Sequence, residues 1–351
     1  NNVSGQYNVA VGSFTLDSNT TGNENTVVGY NAGSSITTAR YNVALGSNAL
    51  QANKSGENNV AIGSYALVNS DSTWYNVAVG AFTMRNTTTG DYNTAVGHQA
   101  LYSNTTSVYN TGIGYQSMYS NSTGTSNTSV GYRSLYTLYG GSHNTALGMQ
   151  ALQNSTACSQ NVAVGSSALL ANTTGVNNVA IGFQTMVTNT TGRYNTAVGL
   201  QAMNSSDGTQ YNVAMGYQVL YANTTGDSNT GIGWRALYTN HTGAGNVAVG
   251  YQSLVSNTSG VNNVAVGLGA LGSNTVGNYN IAIGVSSLAT STNTQYNVAI
   301  GYQAMYTTTT GDYNAAVGYQ ALYSNTTGTR NVAVGHQALT TNTIGVQNTS
   351  I

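Results

Sequence analysis

The chain has no proline and only one cysteine, Cys158, in 351 residues. A lone thiol has no intrachain partner, so a disulfide-stapled scaffold is excluded. Charge is nearly missing too. Asp, Glu, Lys and Arg make up 4% of the residues, against roughly a quarter in ordinary soluble domains. The formal net charge is −1, which leaves no electrostatic footprint for nucleic acid or an anionic membrane. Apolar residues reach 40%, yet no run of them approaches the roughly 20 needed to span a bilayer as a helix. A surface with so few charges must draw its polarity from Asn, Ser, Thr, Gln and Tyr, or from groups attached to them.

What the chain has in abundance is repetition. An Asn stands at every seventeenth position from Asn8, Asn25, Asn42 and Asn59 through to Asn348, without an insertion or a gap. Four residues after each Asn comes a Gly, as in Gly12, Gly29, Gly46 and Gly63, up to Gly335. A fixed short period is the signature of a solenoid, which grows along one axis and needs no division into domains. Residues 1–351 therefore read as one uninterrupted solenoid of about 20.6 repeats (351/17). The chain starts at Asn1 and stops inside a repeat at Ile351, so it is expected to be an uncapped window on a longer fibre.

Each repeat column carries physics. After the fixed Asn comes Val or Thr (Val9, Thr26), then a small residue (Ala10, Ala44), then a large aliphatic one (Val11, Ile62). Period-two alternation puts Val9 and Val11 on one face and Asn8, Ala10 and Gly12 on the other. Four residues past the Gly stands Leu or Met, with Gly33 the exception. β-Branched enrichment favours strand, and seventeen residues hold two short strands and two turns. The fold class that follows is all-β: a parallel β-solenoid with two strands per coil, its aliphatic columns stacked as the core at roughly 4.8 Å per coil. The fixed Gly is expected at a corner needing positive φ. The fixed Asn is expected to form an amide ladder that pins the register. Lack of proline fits backbone N–H groups that bond to the next coil.

The pentapeptides Asn59-Val60-Ala61-Ile62-Gly63 and Asn178-Val179-Ala180-Ile181-Gly182 resemble the head repeat of YadA-like trimeric autotransporter adhesins. The longer unit, as in Tyr313 to Thr327, is similar to repeats in bacteriophage tail-fibre shafts. The resemblance implies a left-handed parallel β-roll, trimeric, displayed outside a cell or on a virion.

Candidate chemistry is sparse. His98 and His336 share a column but lie fourteen coils apart, and His143 and His241 occupy other columns, so no metal site is expected. Asp91, Asp227 and Asp312 share a column several coils apart, and no carboxylate pair has glycosidase spacing. Arg40 and Glu57 occupy one column in adjacent coils, which reads as a surface ion pair. The chain reads as no enzyme, with no cofactor.

The 26 tyrosines concentrate in three columns, represented by Tyr92, Tyr115 and Tyr102. Such columns serve either as sugar-stacking platforms or as packing between coils and chains. An Asn-x-Ser/Thr sequon recurs in one turn column, at Asn19, Asn53, Asn104, Asn121, Asn172, Asn189, Asn223, Asn240, Asn257 and Asn325. Offset by one or two residues are Asn86, Asn154 and Asn204. Asn, Thr and Gly are ordinary turn residues, but their concentration makes this column the candidate carrier of glycans.

The expected function is structural: the shaft of an extracellular or virion fibre that assembles with copies of itself, as a trimer or a filament. One alternative is an adhesin or receptor-binding fibre that engages surface glycans through its Tyr and Asn/Thr columns. The other is a glycan-coated extracellular filament. Neither nucleic acid nor a membrane span enters any of these.

Overall fold

A computed structural model describes residues 2–351. Among them twenty-one short parallel strands recur at seventeen-residue spacing, and there is no helix. The chain divides into two compact units, one ending at Val176 and the other beginning at Asn177. The first holds β1 (Val9–Val11) to β10 (Val162–Val164), the second β11 (Val179–Ile181) to β21 (Thr349–Ser350). Each unit is a parallel β-solenoid of seventeen-residue coils.

Register follows the sequence period. Val43 pairs with Val60, Ala44 with Ala61 and Leu45 with Ile62. In the second unit Val264 pairs with Ile281, Ala265 with Ala282 and Val266 with Ile283. Within each unit every strand therefore meets its neighbour shifted by one whole repeat.

The coil differs from expectation in strand number. One strand of three residues is present per coil, where two were expected. The reason lies in the backbone after the fixed Gly. Residues two and four past it adopt positive φ, as in Asn48 (56°) and Leu50 (53°), and so does the residue before the fixed Asn, as in Asn58 (58°). Alternating positive and negative φ curls the chain where a second strand would have run straight. Hydrogen bonding between coils continues regardless. Asn48 N–H donates to the Tyr30 carbonyl at 2.9 Å, Leu50 N–H to Ala66 at 2.9 Å and Ala52 N–H to Val68 at 3.0 Å. Lys54 N–H donates to Asp71 at 2.8 Å and Asn58 N–H to Arg40 at 3.1 Å. Proline anywhere along this route would remove a donor, which accounts for its absence.

The core is also inverted relative to the reading of the strand. Alternation holds, but the small middle residue points inward. Ala44, Ala61 and Ala78 are fully or almost fully buried, while the flanking aliphatics face out, with Leu45 46% and Ile283 38% exposed. The physical reason is circumference. Seventeen residues enclose so little volume that the interior is filled by the Leu/Met column (Leu50, Leu67, Met84), two Ala columns (Ala61 and Ala66) and buried asparagines. A β-branched residue at the outer strand positions has no room inside.

Exceptions to the columns compensate one another. Gly33 replaces the usual Leu, and the space is filled by Val27 and Ile36, which stand where other coils carry Ala and Asn, and which are both fully buried. A Cβ on Gly33 would lie 2.9 Å from Ile36 Cδ1 and 3.3 Å from Val27 Cγ1. Where Ser replaces Ala in the core, the hydroxyls find each other: Ser117 Oγ donates to Ser129 Oγ at 2.8 Å, and Ser129 bonds to Ser134.

Candidate functional site

The fixed asparagines bond to one another from coil to coil. Asn59 N–H donates to Asn42 Oδ1 at 3.0 Å, and Asn59 Nδ2 donates to the same oxygen at 3.1 Å and to the Thr73 carbonyl at 2.6 Å. Asn25 and Asn42 repeat this with Asn8 and Asn25 Oδ1 respectively. In the second unit Asn263 bonds to Asn246 Oδ1 and to the Gly277 carbonyl in the same way. Each interior amide thus has both hydrogens and its oxygen occupied, which removes the penalty of burying it.

The fixed glycines have two reasons to be Gly. Gly12, Gly29, Gly46 and Gly63 have φ of 129°, 141°, 136° and 130°. A Cβ on each would stand 2.4, 2.5, 2.7 and 2.5 Å from the carbonyl oxygen of the Gly one coil on. Backbone conformation and close coil stacking therefore exclude any side chain at this corner.

The turn asparagines behave differently from their reading as glycan carriers. Asn53, Asn104, Asn121, Asn172, Asn189, Asn223, Asn240, Asn257 and Asn325 are 0% exposed, and Asn19 is 2% exposed. Their amides point inward and tie the turn to itself. Asn53 Nδ2 donates to the Gly56 carbonyl at 3.0 Å while Gly56 N–H donates back to Asn53 Oδ1 at 3.0 Å. Asn223, Asn240 and Asn325 donate likewise to Gly226, Gly243 and Gly328 at 2.8, 2.9 and 3.0 Å. A sugar on Nδ2 would have to occupy the solenoid interior, so burial argues against glycans on these ten residues in the folded chain. Where consecutive coils carry Asn they also bond to one another: Asn240 donates to Asn223 Oδ1 at 2.9 Å and Asn257 to Asn240 Oδ1 at 2.7 Å. A signal for this lay in the sequence, because Ile36 and Leu138 replace Asn in this column and are fully buried. Among the offset sequons Asn154 is exposed, whereas Asn86 and Asn204 are half-buried.

Neighbouring tyrosines within a column form short stacks. Tyr75, Tyr92 and Tyr109 lie with ring centroids 5.0 and 5.2 Å apart and nearly parallel planes. Tyr102, Tyr119 and Tyr136 repeat the pattern at 4.9 and 5.2 Å. In the second unit Trp234 sits between Tyr217 and Tyr251. Ring faces inside a stack are covered by neighbouring rings, which leaves edges and hydroxyls outward. Sugar stacking needs an open ring face, and only the outermost ring of a stack offers one. The Tyr119 hydroxyl is pushed above its ordinary pKa by burial and then by Tyr102 and Tyr136.

The titratable residues take structural roles. Asp91, Asp227 and Asp312 each accept a backbone N–H from the preceding coil, from Trp74, Gln210 and Gln295, at 2.7, 2.8 and 2.7 Å. Arg40 and Glu57 are 4.0 Å apart, and Lys54 and Asp71 3.0 Å apart, both pairs half-exposed and worth little. His98 stacks on Tyr115 and His336 on Tyr319. Arg133 and Arg235 lie over Tyr132 and Trp234, at 5.3 and 4.5 Å from the ring centroids. Among the described residues no three His, Cys, Asp or Glu gather closely enough to hold a metal ion, and no helix is long and apolar enough to cross a membrane.

Compared with known proteins, the chain matches no family model, and no curated protein is significantly similar to it. The feature that stands out for function is therefore the outer surface of the strands. Positions one and three of every strand turn Val, Ile, Leu, Met, Thr or Ala to solvent, and no charged residue occurs at either position. Two of the three tyrosine columns, those of Tyr92 and Tyr115, border them along the chain.

Proposed function

We propose that this chain is the repetitive shaft of an extracellular or virion fibre and that it assembles with copies of itself. One observation carries the reading: within each unit the strands repeat in register from coil to coil, and the buried amides of the fixed asparagines are satisfied by the coils on either side. Such a structure extends by adding coils, each of which contacts only its neighbours. Its backbone amides are tied up between coils, which resists the local opening that proteases require. The interior supplies cohesion through the Leu/Met and Ala columns. A fully buried Leu contributes roughly 1.5–3 kcal/mol relative to an exposed one.

The test is limited proteolysis together with electron microscopy of the purified chain. The shaft reading expects narrow particles of uniform width that survive protease for hours. Rapid digestion, or compact particles, would overturn it. Leu254→Asp, which places a carboxylate in the core column, should open the structure to cleavage near that coil.

A further inference from the structure

We infer that the outer face of the strands is the surface through which copies of this chain join, with a second copy as its occupant. The inference rests on the shaft reading and names the contact that reading leaves open. The second unit, Asn177–Ile351, carries the argument.

Its strands point an aliphatic residue outward at the third position in every coil from Ile181 to Val334. Met215, Ile283 and Val317 are 43%, 38% and 38% exposed, so these are unfinished burials and not grazing contacts. In a single chain this surface is an apolar stripe running coil after coil, comparable to the largest patch a soluble monomer leaves in water, which is often functional. Its size is a large part of what association needs. Three strand residues at about 3.3 Å and ten coils at about 4.8 Å give on the order of 500 Å² of plane. The bordering tyrosines, Tyr296 and Tyr313 among them at 45% and 54% exposure, extend it. A standard interface takes about 800 Å² from each partner.

Chemistry narrows the occupant. With no charge at either outward strand position, the face offers nothing to anionic lipid headgroups or to nucleic acid. Its relief consists of straight ridges, one coil apart, at a fixed two-residue separation. A partner fills the grooves over ten coils only if its own ridges have the same pitch and straightness. Another copy has them by construction, and sheets pack face to face at about 10 Å in this manner. The formal net charge of −1 leaves no repulsion between copies to oppose the contact.

The experiment is light scattering on the purified full chain, with lysines placed on the face. Wild type is expected at a multiple of the 36.2 kDa chain mass. Val266→Lys, Ile283→Lys and Ile300→Lys together should reduce it to the single-chain mass with an unchanged β circular-dichroism spectrum. Thr258→Lys, Thr275→Lys and Thr292→Lys, on the turn column, should leave the assembly intact. As a reading that does not depend on the lysine variant folding, a spin label at Ile283→Cys should lose mobility as concentration rises, and one at Thr275→Cys should not. A protease-resistant wild type of single-chain mass overturns the contact, and with it the self-assembly, but leaves the rod-like shaft standing, whereas a protease-labile wild type strikes the shaft itself. An assembly that survives the three face lysines, or a label at position 283 that stays mobile in it, also overturns the contact.

Discussion

Asn59 directs two donors, its backbone N–H at 3.0 Å and its Nδ2 at 3.1 Å, at the single oxygen Oδ1 of Asn42. The remaining hydrogen of Nδ2 goes to the Thr73 carbonyl at 2.6 Å. One side chain therefore holds three consecutive coils in register. Asn59→Leu should leave buried partners unsatisfied at about 1–3 kcal/mol each. The turn column is expected to be more forgiving. Asn121→Leu recreates the arrangement of Leu138 one coil on and should cost less than half as much, measured as the shift of the melting temperature for the two variants.

The Gly33, Val27 and Ile36 exchange makes a second prediction. Leu at position 33 alone should collide with Ile36 Cδ1 and destabilise the coil by about 1–3 kcal/mol. Adding Val27→Ala and Ile36→Asn should recover most of that loss, because the three residues would then match other coils. A triple variant no more stable than Gly33→Leu would break the compensation argument. Backbone conformation is no obstacle, since Gly33 has φ 52° and Leu50 in the same column has φ 53°.

The inverted core is checked by comparing two truncations. Leu254→Ala removes a fully buried side chain and should cost about 2–5 kcal/mol. Ile283→Ala, at 38% exposure, should cost under about 1 kcal/mol in dispersed chains. Chemical denaturation at low protein concentration measures both. Equal losses would return the strand aliphatics to the core.

Expression in a host that adds N-glycans addresses the sequons. Asn154 lies exposed and should accept a sugar, while the ten turn asparagines from Asn19 to Asn325 should remain bare in folded, secreted material. Peptide mapping by mass spectrometry reads this directly. A glycan at Asn223 or Asn240 in a chain of native circular dichroism would contradict the placement of that column.

Burial holds the Cys158 thiol above its ordinary pKa, against smaller opposing effects of hydrogen bonds to Ser155, Asn161 and Asn172. The thiolate is the reactive form, so the native protein should alkylate at least tenfold more slowly at pH 8 than the same chain in denaturant. Raising the pH should narrow that difference as the thiol ionises. Equal rates in both states would show that Cys158 is not sealed within the coil.

How far the amino-acid sequence reaches is clearest at particular columns. The fixed Asn and Gly are legible because a residue that never varies over so many coils must meet a constraint every coil shares, and an interior amide and a positive-φ corner are such constraints. Parallel strands, their register and the exclusion of proline follow from the same period. The strand residues show the boundary. Alternation says that Val9 and Val11 share one face and Ala10 takes the other, but it is symmetric and does not say which face is inside. That was decided by the circumference of the closed coil, which has room for Ala and Leu but not for two β-branched residues as well. Closure likewise replaced the expected second strand with a positive-φ turn, and it drew the turn asparagines into the interior, where a sequon reads the same in sequence but has no access to solvent.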